Sequence, residues 1–263
     1  MRTRMMTRWM RVAMGLAITL ALTLGGGPVE TLSAQVMVIP FGAPGDLPVV
    51  GRWTADRATY IGVYRPSAST FYLRTRNAAG PPTRVIAFGI PGDIPLIGNW
   101  CPSVPSTSSA PAPDRPGVYR SSTRSVVFQY ADKISTIRFG GPGDIPVAGD
   151  WWSKGVTAVG VYQTSDSTFV LGPGASSVIP FGASGDIPVV RHLSTGSLIG
   201  VYRPKTSSFF LSPSNTAPRS ITVIPFGAPN DIPLLGDWTG TGTPKVGVYR
   251  PRENTFYLKT TFP

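Results

Sequence analysis

Cysteine is almost absent from this chain: Cys101 is the only one in 263 residues, so no internal disulfide can form. Histidine is reduced to His192, and glutamate to Glu30 and Glu253. A Ser-His-Asp triad therefore has a single candidate base. A glycosidase-type carboxylate pair has to be drawn from scattered aspartates such as Asp114, Asp132 and Asp166. Zinc-ligand spacings and phosphate-cradling glycine loops are missing. The extended apolar run, residues 12–24, has 13 residues, too few to span a bilayer comfortably. After it, no stretch carries a helical pattern of useful length.

What is present begins with a leader. Arg2, Arg4, Arg8 and Arg11 precede the apolar run, and small residues follow it up to Ala34. That order reads as a secretory signal over residues 1–34, with an uncleaved anchor helix as the alternative. Removing residues 1–34 takes away four Arg and Glu30 and lowers the net charge from +11 to +8. A charge of this size, spread along the chain, suits anionic surfaces or polymers and gives no sign of a specific nucleic-acid partner. The remaining residues, 35–263, are rich in Gly and Pro and poor in charge, as expected of a turn-rich β chain held by packing alone. The lone thiol of Cys101 falls in a Pro/Ser-rich insertion and reads as free or as bonded to another chain.

Residues 35–263 repeat. A Phe-Gly block ending in Asp-(Ile/Leu)-Pro starts at Phe41, Phe88, Phe139, Phe181 and Phe226, with spacings of 47, 51, 42 and 45. Each block is followed by Gly-Val-Tyr, ending at Tyr64, Tyr119, Tyr162, Tyr202 and Tyr249. Each unit reads as four short strands; in the first they fall at residues 48–53, 60–65, 70–74 and 84–88. Asp46, Asp93, Asp144, Asp186 and Asp231 read as turn-makers that bond the backbone two residues on. Gly62 and its four counterparts call for close packing, near a narrow axis. Trp53, Trp100, Trp151 and Trp238 share one position, where the fourth unit has Leu193; Leu replaces a buried Trp better than a stacking platform, so packing between units is expected.

A period in the forties with four strands per unit is that of propeller blades. After the leader, the chain opens on the strand that ends each unit and stops one strand short of a complete fifth. Moving residues 36–42 beside residues 254–260 leaves five units of four strands and no remainder. The fold class is therefore all-β, a five-bladed β-propeller with four antiparallel strands per blade, closed by pairing of its N- and C-terminal strands. A linear β-solenoid is the alternative.

The string from Phe226 to Trp238, followed by Gly247-Val248-Tyr249-Arg250-Pro251, resembles the FG-GAP/VCBS-like repeats of bacterial secreted proteins, related to the integrin α-chain propeller. The resemblance implies a β-propeller on a secreted or cell-surface protein that serves binding or adhesion. It also implies a calcium loop after the first strand, and no loop here keeps its full set of ligands. The fifth unit has Asp237, Thr239, Thr241 and Lys245 at the ligand places; the first has Arg52, Thr54, Asp56 and Tyr60; the third has Asp150, Trp152, Lys154 and Ala158. The second unit keeps only Asn99, and the fourth has His192. No cofactor or metal is expected, the Asp237 loop alone leaving room for weak calcium.

Near-identical blades, and the shortage of Glu and His, point away from catalysis, and no catalytic residue is assigned. The expected function is multivalent recognition of an extracellular glycan or anionic polymer; a propeller-fold carbohydrate-active enzyme is the alternative. Candidate contacts are Arg65, Arg120, Arg203 and Arg250, each after the repeated Tyr, where the third unit has Gln163. Arg meets carboxylate or sulfate bidentately. The competing reading is that each Arg only solvates a strand end or bonds a neighbouring turn.

Overall fold

A computed structural model describes residues 35–100, 112–130, 133–172, 177–216 and 220–262. The leader, Cys101 and Asp132 lie outside the described residues. Strand β1 (Val36–Pro40) precedes the first complete blade, β2 (Leu47–Gly51), β3 (Tyr60–Arg65), β4 (Thr70–Leu73) and β5 (Arg84–Ala87). Blade two holds β6 (Ile94–Gly98), β7 (Arg115–Arg120), β8 (Ser125–Tyr130) and β9 (Lys133–Arg138). Blade three holds β10 (Ile145–Gly149), β11 (Ala158–Gln163), β12 (Thr168–Leu171) and β13 (Ser177–Pro180). Blade four holds β14 (Ile187–Leu193), β15 (Gly196–Arg203), β16 (Ser208–Leu211) and β17 (Thr222–Pro225). Blade five joins β18 (Ile232–Gly236), β19 (Lys245–Arg250) and β20 (Thr255–Lys259) to β1.

All five sheets are four-stranded and antiparallel, and β1 lies against β20 in the register Val36↔Lys259 to Pro40↔Thr255. The first strands touch in a circuit: β2 meets β6, β6 meets β10, β10 meets β14, β14 meets β18 and β18 returns to β2. The chain is a closed five-bladed propeller.

Local chemistry sets the blade. In β3, Ile61 and Val63 face blade five while Tyr64 faces blade two, the period-two alternation of a strand packed on both sides. Pro66 cannot extend the ladder and opens a single 3-10 turn, Pro66–Ala68, which Ser69 closes in the left-handed region before β4. The five apolar clusters coincide with the five blade junctions. At each, one blade supplies the repeated Tyr and Leu or Phe partners and the next supplies its Val and Ile. Tyr64 and Phe71 illustrate the pairing: both are fully buried, with ring centroids 4.6 Å apart. Burying a side chain of this size is worth roughly 2–3 kcal/mol, so the junctions supply most of the cohesion.

Trp53, Trp100, Trp151 and Trp238 are buried at these junctions, each indole N–H donating to a carbonyl of its own blade. The glycines of the second strands are tightly packed as expected, but not at the axis, which the first strands ring. A Cβ on Gly62 would lie 2.7 Å from Leu73 and 3.1 Å from Val49, within its own blade. The glycine of the Phe-Gly pair has a different cause. Gly42 has φ +113°, and a Cβ there would sit 2.9 Å from the Tyr249 hydroxyl of the preceding blade. Gly89, Gly140, Gly182 and Gly227 stand in the same relation to Tyr64, Tyr119, Tyr162 and Tyr202.

Candidate functional site

The repeated aspartates do make turns, though by bonding backward across three residues. Asp46 N–H donates to the Ala43 carbonyl, and its Oδ2 accepts from the Ala43 N–H at 2.9 Å. The same side-chain bond recurs at Asp93, Asp144, Asp186 and Asp231. The Asp has a second partner, as expected if each Arg bonds a neighbouring turn. Because Leu47 pairs with Tyr64, Asp46 lies opposite Arg65, and the guanidinium donates Nε to Oδ1 and Nη2 to Oδ2, both at 2.8 Å.

Arg120, Arg203 and Arg250 bind Asp93, Asp186 and Asp231 in the same bidentate way. The aspartate side chains are buried, while the arginines keep 18–33% of their surface. Each bond to Asp raises the guanidinium pKa further above its ordinary value, outweighing the effect of burial. On the other side the third strand contributes an aromatic ring. The Cζ of Arg65 stands 4.5 Å from the centroid of Tyr72, Arg203 4.3 Å from Phe210 and Arg250 4.4 Å from Tyr257.

The structure thus brings the four candidate arginines onto one face of the ring, each at the end of a second strand. Each has its Nε–Nη2 edge engaged within its own blade, and Arg250 also meets Glu253 through Nη1 at 3.5 Å. The side chains of Arg65, Arg120 and Arg203 stay about a third exposed. Blade three keeps Asp144 and its turn, but Gln163 replaces the arginine and Val170 the ring. Neighbouring blades are coupled through the tyrosines: burial raises Tyr249 to about 12, and the Asp46 carboxylate of the next blade adds to the effect.

The opposite face carries the loops after the first strands. Four junctions have a reciprocal clasp there. Thr59 and Asp237 exchange bonds of 2.8 and 3.0 Å, and Thr157 and Asn99 two of 2.8 Å. Ser197 pairs with Asp150 and Asp114 with Arg52 in the same manner. At the junction of blades four and five the equivalent residues are His192 and Pro244, and Pro has no N–H to give.

His192 is exposed, and its Nδ1 lies 2.9 Å from the Ser197 Oγ. Ser197 is 3% exposed, so this Ser–His pair presents no accessible nucleophile.

In the fifth loop a cation already sits among the oxygens. Lys245 Nζ donates to Thr239 Oγ1 at 2.8 Å, Thr241 Oγ1 at 3.0 Å and the Thr243 carbonyl at 3.1 Å, and lies 3.7 Å from Asp237 Oδ1. Asp237 itself is held by the N–H groups of Thr241 and Gly242. Among the described residues no cluster of three or more His, Cys, Asp or Glu side chains is placed to hold a metal.

Protein-family models, curated proteins and solved structures give no match to this chain. No helix among the described residues is long and apolar enough to cross a membrane.

Proposed function

We propose that this protein is a binding module, secreted or held at the cell surface, that grips an extracellular polymer at several equivalent points of one propeller face, glycans being the first class. The observation that carries this reading is the fourfold Arg–Asp unit. A buried carboxylate fixes each guanidinium in one orientation, and three of the four are backed by an aromatic ring. A preorganised donor loses little freedom on binding, and linked weak sites gain in avidity when one ligand spans them. Since the Nε–Nη2 edge is occupied by Asp, Arg65, Arg120 and Arg203 have their Nη1 donors left for single bonds with hydroxyl or acid oxygens, while Arg250 shares its Nη1 with Glu253. The finer family reading, FG-GAP/VCBS-like repeats serving adhesion, belongs to the same proposal; the repeated strings and the propeller support it.

The test is a glycan and polymer array probed with wild-type protein and with Arg→Gln variants at Arg203, then Arg65 and Arg203 together. Gln is what blade three carries naturally at this position. Retention should fall more than proportionally with each unit removed. Unchanged retention in the folded double variant would remove these residues from the site, and hydrolysis of an arrayed glycan would move the protein to the carbohydrate-active enzymes.

A further inference from the structure

The outermost strand of every blade has one unpaired edge, and the five blades treat that edge differently. In β1, Phe41 N–H donates inward to the Asn254 carbonyl, so by alternation the N side of Pro40 faces out. Phe181 and Phe226 donate inward likewise, which turns Pro180 and Pro225 outward in β13 and β17. A proline at the edge of a sheet withholds the N–H that an added strand would need. Strand β5 has Ala87 at this place but is only four residues long, and Pro81 and Pro82 stand just before it.

Blade two has none of these guards. Phe139 N–H bonds the Arg124 carbonyl, so Ile134, Thr136 and Arg138 turn their N–H and C=O groups outward along the six residues of β9. Ile134 is 69% exposed, the highest value among the exposed large apolar residues. Beside it lies a cleft of about 700 Å³, lined by Ile134, Thr136, Val118, Val127, Phe88 and Ile90 among others. The cleft falls at the junction where Val127 stands in place of the aromatic Tyr72, Phe210 or Tyr257.

We infer that β9 is a docking edge for an extended segment of another protein, which adds as a fifth strand to blade two and seats apolar side chains in the cleft. Main-chain bonds to Ile134, Thr136 and Arg138 supply the affinity, and the cleft supplies selectivity. Charge decides between occupants. A second copy joined antiparallel through the same outward groups would set Ile134 against Arg138 and bring together two edges that each carry Lys133 and Arg138 and no acid, so their charges repel. A segment with acidic residues flanking β-branched ones meets both ends of β9 favourably.

The test uses a synthetic peptide of alternating Val and Thr with Glu at each end, titrated into wild type, Arg138→Pro and Arg138→Gln by fluorescence anisotropy. Arg138→Pro gives blade two the proline that blades three, four and five already carry, so its melting temperature should match wild type. Its affinity should fall at least about tenfold, from the lost main-chain bond and charge together. Arg138→Gln, which keeps the N–H, should fall between the two. Equal affinity in Arg138→Pro, or no binding by wild type at millimolar peptide, would overturn the inference. So would a wild-type dimer in sedimentation that Arg138→Pro abolishes, since the occupant would then be a second copy.

Discussion

At the residue scale, Asp231 shows why one side chain is repeated in every blade. It closes the turn before β18 and neutralises Arg250 at the end of β19, with its own side chain wholly buried. Truncating the arginine leaves that carboxylate uncompensated, so Arg250→Gln should destabilise the protein by about 3 kcal/mol, read from denaturant unfolding. The converse change, Gln163→Arg, supplies the guanidinium that Asp144 lacks and should stabilise by about 1 kcal/mol. That each Arg could bond a neighbouring turn was legible in the sequence, but which residue of the turn takes it was not, for a physical reason. The partners stand 17 to 27 residues apart and meet only once the first two strands pair. Blade three hid the link further, because Asp144 persists without an arginine to serve its turn. The interblade tyrosines give a pH expectation. Tyr249 ionises at about 12 in the folded protein against about 10 when unfolded. Its neutral phenol therefore supports the fold fully below about pH 10, and that support is lost as pH rises towards 12. Ultraviolet difference titration should show a tyrosine class that ionises only as the protein unfolds at alkaline pH.

At the scale of elements, strand number, blade order and terminal pairing were all legible in the repeat, because each strand is bounded by Gly, Pro or Asp at fixed offsets. The loops after the first strands were legible only in part. Their departures from a calcium pattern could be read, but the clasp they form with the following blade could not, since Thr59, Asp114, Thr157 and Ser197 belong to different residue types. The fifth loop has its oxygens turned upon the Lys245 ammonium, and bringing Ca²⁺ there would mean displacing a buried cation. Millimolar calcium added after chelation should leave the melting temperature unchanged, as a ligand of the folded state would raise it. The clasps also predict uneven stability around the ring. The junction of blades four and five, with Pro244 opposite His192, depends on the apolar contacts of Val189, Tyr202 and Phe209 with Leu235, Val246 and Val248. Hydrogen exchange should therefore be fastest, among the second strands, in β19 at its Lys245 end.

At the scale of the whole molecule, the ring is fastened where β1 lies against β20. Deleting residues 35–42 strips one strand from blade five and bares the edge of β20, so melting should fall sharply and association should become concentration-dependent. A circular permutant separates that fastening from the contacts themselves. Thr260 N–H already reaches the Gln35 carbonyl at 2.8 Å, so a short linker between them makes β20 and β1 a simple hairpin. Opening the chain in the turn at Pro44 and Gly45 then leaves five blades each continuous in sequence. Such a permutant should keep the native fold and refold faster than the natural order, because the most distant pairing has become local. That pairing also dictates a timetable. Whether it leaves a ribosome or a translocation channel, the polypeptide delivers Val36–Pro40 among its earliest strands and Thr255–Lys259 among its latest. Four blades can assemble as they emerge, while the opening segment waits without its proper neighbour until the end arrives. Any hold on the growing chain must therefore shield that waiting strand while all four intervening blades are made.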